Sequence, residues 1–269
     1  MKAWTLGSGS KGNAILLESD GTRVIIDNGF SPRALAQRLA SVQIAPESIS
    51  AIIVTHEHVD HSRGVPLVQK KWKWHVYASG GTLRAMRDVD TKLSTEVRTD
   101  LPTVIGALQF EFVRVPHDAN APIAMVATAQ RTGFRTGVAH DLGAIPDALR
   151  VAFARLDLLL LESNHDEEML RNGPYPAFLQ QRITGGAGHL SNRKSAAFAR
   201  ELAGPQLREL VLLHLSEVNN TPKLAVEAAR AALTGRSKLP VTAAPQQSAA
   251  GPFGAHAPAK SSQQLALPL

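Results

Sequence analysis

A chain of 269 residues, 44% hydrophobic and 19% charged, can bury a sizeable core and has the balance of an ordinary globular protein. It contains no cysteine, which excludes disulfides, thiolate nucleophiles and sulfur ligands, so any metal must be held by nitrogen and oxygen. The net charge is +6, but residues 236–269 carry Arg236, Lys238 and Lys260 and no acid, so half of it lies there, and the balance permits a nucleic-acid partner without demanding one.

No apolar run approaches the length of a bilayer span, and Met1–Ser8 lacks the apolar core of a secretion signal, so a cytoplasmic protein without membrane contact is expected. Lys2–Leu6 reads as a first strand, with Ala14–Glu18 and Arg23–Asp27 as the next two. Between the first and second, Gly7–Asn13 is a small-residue loop whose amides can cradle an anion, with Lys11 supplying charge; a plain hairpin loop fits the same residues. Val24–Ile26 ends at Asp27, which places a carboxylate at a strand end. Ser31-Pro32 then opens a helix, serine as cap and proline in the first turn, with Leu35, Leu39 and Val42 as its apolar stripe.

Ala51–Val54 is a short buried strand that runs, with no turn residue between, into Thr55-His56-Glu57-His58-Val59-Asp60-His61. Neutral imidazoles and carboxylates suit zinc and other first-row divalent ions. In an extended or tightly turned segment positions two apart face the same way, so His56 and His58 can grip one ion while Asp60 and His61 point to a neighbouring position. A helix is expected after Ser62, followed by a strand near Val76-Tyr77. Lys70–Trp74 could stack on bases, but such a patch is more often a half-buried edge with solvated lysines.

Gly106–Val115 and Ala124–Ala139 alternate as strands of a second sheet, and Leu156–Leu161 reads as a strand buried on both faces. Helices are expected near 166–172, 175–183 and 193–203, then a buried strand at Leu210–Leu213 and a last amphipathic helix capped by Thr221-Pro222. Asp27, His56, His117, Asp141, His165 and His214 all stand at strand exits. Repeated delivery of such groups to strand ends is how an α/β scaffold assembles one polar site. Residues 236–269 are rich in alanine, proline, serine and glutamine without periodicity, and disorder is expected from 236 onward. Gln264-Leu265-Ala266-Leu267-Pro268-Leu269 at its end reads as a peptide that docks into an apolar groove.

The segment His56-Glu57-His58-Val59-Asp60-His61, with later single histidines and aspartates at strand ends, resembles the metallo-β-lactamase fold superfamily over roughly residues 1–235. Leu6–Asn13, Glu162–Leu170, Gly188–Asn192 and His214–Asn220 are similar to the YycJ/WalJ-type hydrolases within it. The resemblance implies a four-layer αββα sandwich and two divalent ions, zinc or manganese with iron also acceptable. By motif, His56, His58 and His117 would hold the first ion, Asp60, His61 and His214 the second, and Asp141 would bridge them, with Asp27 orienting the histidine loop. His140 stands where such enzymes usually carry threonine, and could add a ligand or block a position. Asp60 and Asp141 are thus expected in catalysis, with His165 and His189 as candidates for holding phosphate or protonating a leaving oxygen, and with Ser10, Lys11, Asn13 and His189 at the substrate.

The resemblance further implies a DNA phosphodiesterase, notably a 5′–3′ exonuclease linked to mismatch repair, and a tail resembling the hexapeptide that binds the β sliding clamp through Gln264, Leu265, Leu267 and Leu269. Two other readings fit the same residues: a hydrolase of cyclic phosphodiesters or thioesters, and a DNA- or clamp-binding adaptor whose metal is structural.

Overall fold

The computed structural model describes residues 1–255. One sheet contains β1 (Lys2–Gly7), β2 (Ala14–Ser19), β3 (Thr22–Ile26), β4 (Ala51–Val54), β5 (His75–Ala78) and β6 (Ser94–Glu96), hydrogen-bonded in that order. The other contains β7 (Thr103–Ile105), β8 (Leu108–Arg114), β9 (Ile123–Ala129), β10 (Arg135–Ala139), β11 (Leu158–Glu162), β12 (Glu209–Leu213) and β13 (Val241–Ala243), again in chain order. A last strand, β14 (Ala250–Phe253), returns to the first sheet and lies antiparallel on β1. In each sheet an antiparallel half joins a parallel half: β3 to β6 run parallel in one, β10 to β13 in the other.

Alternation along the strands builds three apolar layers. Ile15, Leu17, Val24, Ile26 and Ile53 of the first sheet meet Phe110, Met125, Val138, Leu158, Leu160 and Val211 of the second. The intervening residues face outward: Leu16, Ile25, Ile52 and Val54 onto α1 (Pro32–Ser41) and α3 (Val65–Trp72), whose Leu35, Leu39, Val65 and Val68 are buried. Leu159, Leu161, Leu210 and Leu212 face Leu149, Phe198, Ala225 and Ala229 of α5 (Asp147–Ala152), α8 (Asn192–Leu202) and α9 (Pro222–Ala232). Each fully buried leucine or isoleucine contributes about 1.5–3 kcal/mol. The result is the expected four-layer αββα sandwich. The other helices are α2 (Val59–Ser62), α4 (Gly80–Ala85), α6 (Glu167–Asn172) and α7 (Ala177–Thr184). Among the described residues no helix is long and apolar enough to cross a membrane.

One expectation needs correction. Disorder does not begin at 236: β13 extends the parallel ladder beyond β12, and β14 covers the free edge of β1, burying Phe253 in the layer between the sheets. The catalytic unit therefore reaches at least Phe253. Residues 256–269, with the expected clamp peptide Gln264–Leu269, lie outside the described residues. The helix expected after Ser62 is α3, and the single turn α2 precedes it, with Ser62 N–H donating to the His58 carbonyl at 2.9 Å. Lys70–Trp74 is a packing edge, the reading favoured for it: Trp74 is buried, donates to the Pro46 carbonyl at 3.1 Å and stacks on Trp72.

The loops after β1 and β3 clamp α2 in place. Asn13 N–H donates to the Asp60 carbonyl at 2.8 Å and Asn28 N–H to the His61 carbonyl at 2.7 Å. Gly29 and Gly64 are required there, since a Cβ would fall 2.0 Å from the Asp60 carbonyl oxygen at the first and 1.9 Å from that of Phe30 at the second.

Candidate metal centre

The carboxyl ends of the parallel strands open onto one edge, where an α/β sheet presents its ligands. Asp27, Asp141 and His214 follow β3, β10 and β12 with φ of 60°, 58° and 53°, a left-handed turn that re-aims each side chain at the strand exit. His58 caps α2, and Asp60 and His61 occupy its first turn.

Among the described residues, ligand-type atoms converge in five sets, three of which hold the seven expected ligands. His56, His58 and His117 form one, Asp60, His61 and His214 another, and His56, His61 and Asp141 a third, each with its atoms within 4.8 Å of one another. Asp141 connects the first two. Its Oδ2 lies 3.1 Å from His56 Nε2 and 2.7 Å from His61 Nε2, and its Oδ1 2.7 Å from His214 Nδ1. All seven side chains expected to meet are therefore in one place.

Most of the rings have one nitrogen held by the protein and the other turned to the shared space. His56 Nδ1 lies 3.0 Å from Thr55 Oγ1, His58 Nε2 3.2 Å from the Asp118 carbonyl, and His117 Nδ1 donates to the Gly188 carbonyl at 3.0 Å. His61 Nδ1 donates to Asp27 Oδ2 at 2.8 Å, while Asp27 also accepts from Thr55 N–H and Thr55 Oγ1. Asp27 thus orients the histidine loop, as the sequence suggested. Such outer partners fix tautomer and ring direction in metal sites. The buried His56 Nε2 and Asp141 Oδ1 have no properly aligned hydrogen bond among the described residues. Buried polar atoms are normally paired, so facing ligand atoms left in this way fit a cation between them.

The charges are arranged accordingly. Burial alone would push His61 and His214 down, but Asp141, with Asp27 and Asp60 around His61 and Asp60 and Glu162 around His214, holds both well above the ordinary imidazole value. Burial would raise Asp141, yet His214 and His61 keep it well below the usual carboxylate range. His56 is pushed down to about 4 by burial and by the neighbouring His61 charge.

Glu162, at the end of β11, was not among the expected site residues. It is fully buried, accepts from Leu142 N–H at 2.8 Å and Leu190 N–H at 3.0 Å, and receives His189 Nδ1–H at 2.7 Å, with His214 Nδ1 3.4 Å away. Burial opposes it, but Glu162, together with Asp141 3.3 Å from the same nitrogen, raises the His189 imidazole to about 9. The sequence signal was present, a glutamate closing a wholly apolar strand, where an unpaired acid would be costly.

Other expected residues fall elsewhere. Asn13 is buried and fully engaged: its Oδ1 accepts from Gly9 N–H at 2.8 Å, and its Nδ2 donates to the Gly9 carbonyl at 3.2 Å and to Asp60 Oδ2 at 3.1 Å. Its side chain ties Asp60 to the turn at Gly9. Of the two readings of Gly7–Asn13, a plain loop fits the amides of Gly9, Gly12 and Asn13, which are bonded within the protein. Ser10 and Lys11 line a cavity of about 420 Å³ with Asp60 and Arg63, and Lys11 pairs with Glu217 at 2.8 Å. His140 stacks on His61 with Nε2 3.2 Å from Asp27 Oδ2, and its ligand-type atom lies within 4.8 Å of those of Asp27 and His61. His165 is not gathered with the ligand atoms and lines a separate cavity, burial pushing its ring down to about 4.

Residues 22–215 match the family described as "Beta-lactamase superfamily domain". The exodeoxyribonuclease WalJ of Streptococcus pneumoniae (strain D39) is 33% identical over 226 residues, which cover 82% of this chain and 83% of that one. The exodeoxyribonuclease YycJ of Bacillus anthracis is 30% identical over 225 residues, 82% and 84% of the two chains. Among solved structures, the metallo-β-lactamase fold protein YhfI of Bacillus subtilis superposes with a TM-score of 0.73 over 93% of this chain and 99% of that one, at 18% identity, a likeness of fold.

Proposed function

From the premise that this chain belongs to the metallo-β-lactamase superfamily, alongside the WalJ and YycJ exodeoxyribonucleases, we propose that it is a metal-dependent phosphodiesterase that cleaves DNA. The observation that carries the reading is Asp141, whose Oδ2 lies between His56 of one set of ligand atoms and His61 of the other. Two divalent ions, zinc, manganese or iron, would be held by His56, His58 and His117 and by Asp60, His61 and His214, with Asp141 between. When bound, such ions lower the pKa of water to roughly 7 and offset charge on phosphate oxygens. Asp27, Glu162 and Asn13 hold His61, His189 and Asp60 in place. With Nδ1 given to Glu162, His189 has Nε2–H free to donate to a phosphate or leaving oxygen, and its raised pKa keeps that proton available at neutral pH.

A 5′-labelled single-stranded oligonucleotide assayed beside a chromogenic phosphodiester tests the substrate. Stepwise loss of nucleotides from the labelled strand is expected. Turnover of the small ester with DNA untouched under every metal tried would instead favour a small-molecule hydrolase.

Metal binding carries a proton signature. Coordination needs neutral imidazoles, and His61 and His214 start with raised pKa values, so about two protons should leave as ions bind near pH 7. Protons compete hardest at low pH, so metal affinity falls as pH falls. Calorimetric titration of metal-stripped protein in buffers of different ionisation enthalpy measures the release, and a heat independent of buffer contradicts the ligand assignment.

The same reading includes a role in DNA repair and recruitment by the β sliding clamp through Gln264, Leu265, Leu267 and Leu269. Tethering raises local concentration without new contacts in the catalytic domain. Replacing Gln264, Leu265 and Leu267 by alanine should abolish clamp binding while leaving cleavage of free DNA unchanged; undiminished clamp affinity in surface plasmon resonance would remove this part of the proposal.

A further inference from the structure

Beside the ligand cluster lies a cavity of about 520 Å³ with a different chemistry. It shares a wall with the centre: His165 and Ser191 pair as an isolated parallel bridge, and Leu190, between Ser191 and His189, donates its N–H to Glu162. Arg171, Arg193 and Lys194 line it against one acid, Glu167. That acid is occupied, since it accepts from Ser191 Oγ at 2.8 Å and pairs with Arg193 at 3.0 Å. Arg171 and Lys194 are thus left facing the cavity with no other carboxylate in its lining.

Two further features favour an anion. α8 starts at this wall with Ser191 as its cap, so the positive end of an eleven-residue helix points there. His165, 1% exposed, lines the cavity, and its Nδ1 has no hydrogen-bond partner among the described residues. A buried imidazole nitrogen without a partner calls for a ligand atom.

We propose that this cavity holds a phosphate group of the nucleic-acid strand, separate from the phosphate at the ligand cluster, with Arg171 and Lys194 screening its charge and His165 hydrogen-bonding to it. This rests on the reading that the substrate is DNA. The group is either a terminal 5′-phosphate or an internal phosphodiester, which present the same oxygens to the same donors.

The test is fluorescence anisotropy of the metal-loaded full chain with a phosphorothioate oligothymidylate, which keeps one charge per linkage and resists cleavage, prepared with either a 5′-phosphate or a 5′-hydroxyl. The double variant Arg171→Gln/Lys194→Gln should weaken binding about tenfold and lower the slope of log affinity against log salt by about 0.7, the value for one single-strand phosphate contact. Arg171→Gln alone, at an exposed helix position, should give about half the change in slope, and melting midpoints near wild type verify folding. Lys70→Gln/Lys71→Gln, an equal loss of surface charge on α3, should move neither quantity. A loss confined to the 5′-phosphorylated strand identifies the terminal group, and an equal loss with both identifies an internal one. Unchanged affinity and slope in the double variant, or no binding by the wild type, overturns the proposal. Binding that depends on these cations without cleavage of unmodified DNA keeps the cavity assignment and sinks the nuclease reading instead.

Discussion

Asp141→Asn should abolish hydrolysis of DNA and of a chromogenic phosphodiester together, by ~10³-fold or more, the equivalent of several kcal/mol of transition-state stabilisation. The change is nearly isosteric, but it replaces two charged acceptor oxygens by one neutral acceptor and one donor. Oδ2, between His56 Nε2 and His61 Nε2, and Oδ1, beside His214 Nδ1, cannot both be retained. Removing one partner of a buried charged group ordinarily costs about 3–5 kcal/mol. Here the penalty is softened, because His61 and His214 can lose the protons that Asp141 helps them keep. The variant should therefore fold, with a circular dichroism spectrum like the parent's, and bind less metal by elemental analysis. Wild-type turnover would show that Asp141 does not link two ions, and the mechanism would have to be rebuilt.

Glu162→Gln should reduce turnover of DNA by about 10- to 100-fold, the usual range for a group that orients a metal-site residue. Glu162 accepts from two backbone amides and from His189. A glutamine cannot satisfy all three: its amide must face either the Leu142 and Leu190 N–H groups, donor against donor, or His189 Nδ1. The first arrangement costs about 1–3 kcal/mol of stability. The second strips His189 of the charge that opposes its burial. The distinguishing readout is the pH profile. With Glu162 present, His189 stays protonated until pH rises through about 9, so activity that needs its proton falls only beyond that point. Without the glutamate the alkaline limb should move to lower pH, whereas a purely structural role would lower the rate equally at every pH.

The clustered motif and the strand-end positions were legible because both are local. A run such as Leu158-Leu159-Leu160-Leu161 records burial on both faces, and a carboxylate or imidazole directly after such a run must lie at a sheet edge. That logic brought Asp27, His56, Asp141 and His214 to the right edge. His165 obeys the same local rule but turns to the neighbouring cavity, and Glu162, which belongs to the strand itself, was passed over.

What the sequence determined by itself was the burial of each segment, the absence of sulfur chemistry, and the set of nitrogen and oxygen ligands, since these depend on residue type and on periods of two and 3.6. The tertiary structure alone decided which polar atoms face one another. The loop at Asn13 meets Asp60, Glu162 meets His189, and Ala250–Phe253 closes the edge of β1 although its own composition resembles a disordered tail. Such pairings follow from long-range packing and from the desolvation that makes each unpaired buried group costly, and neither quantity is written in a residue's immediate neighbours.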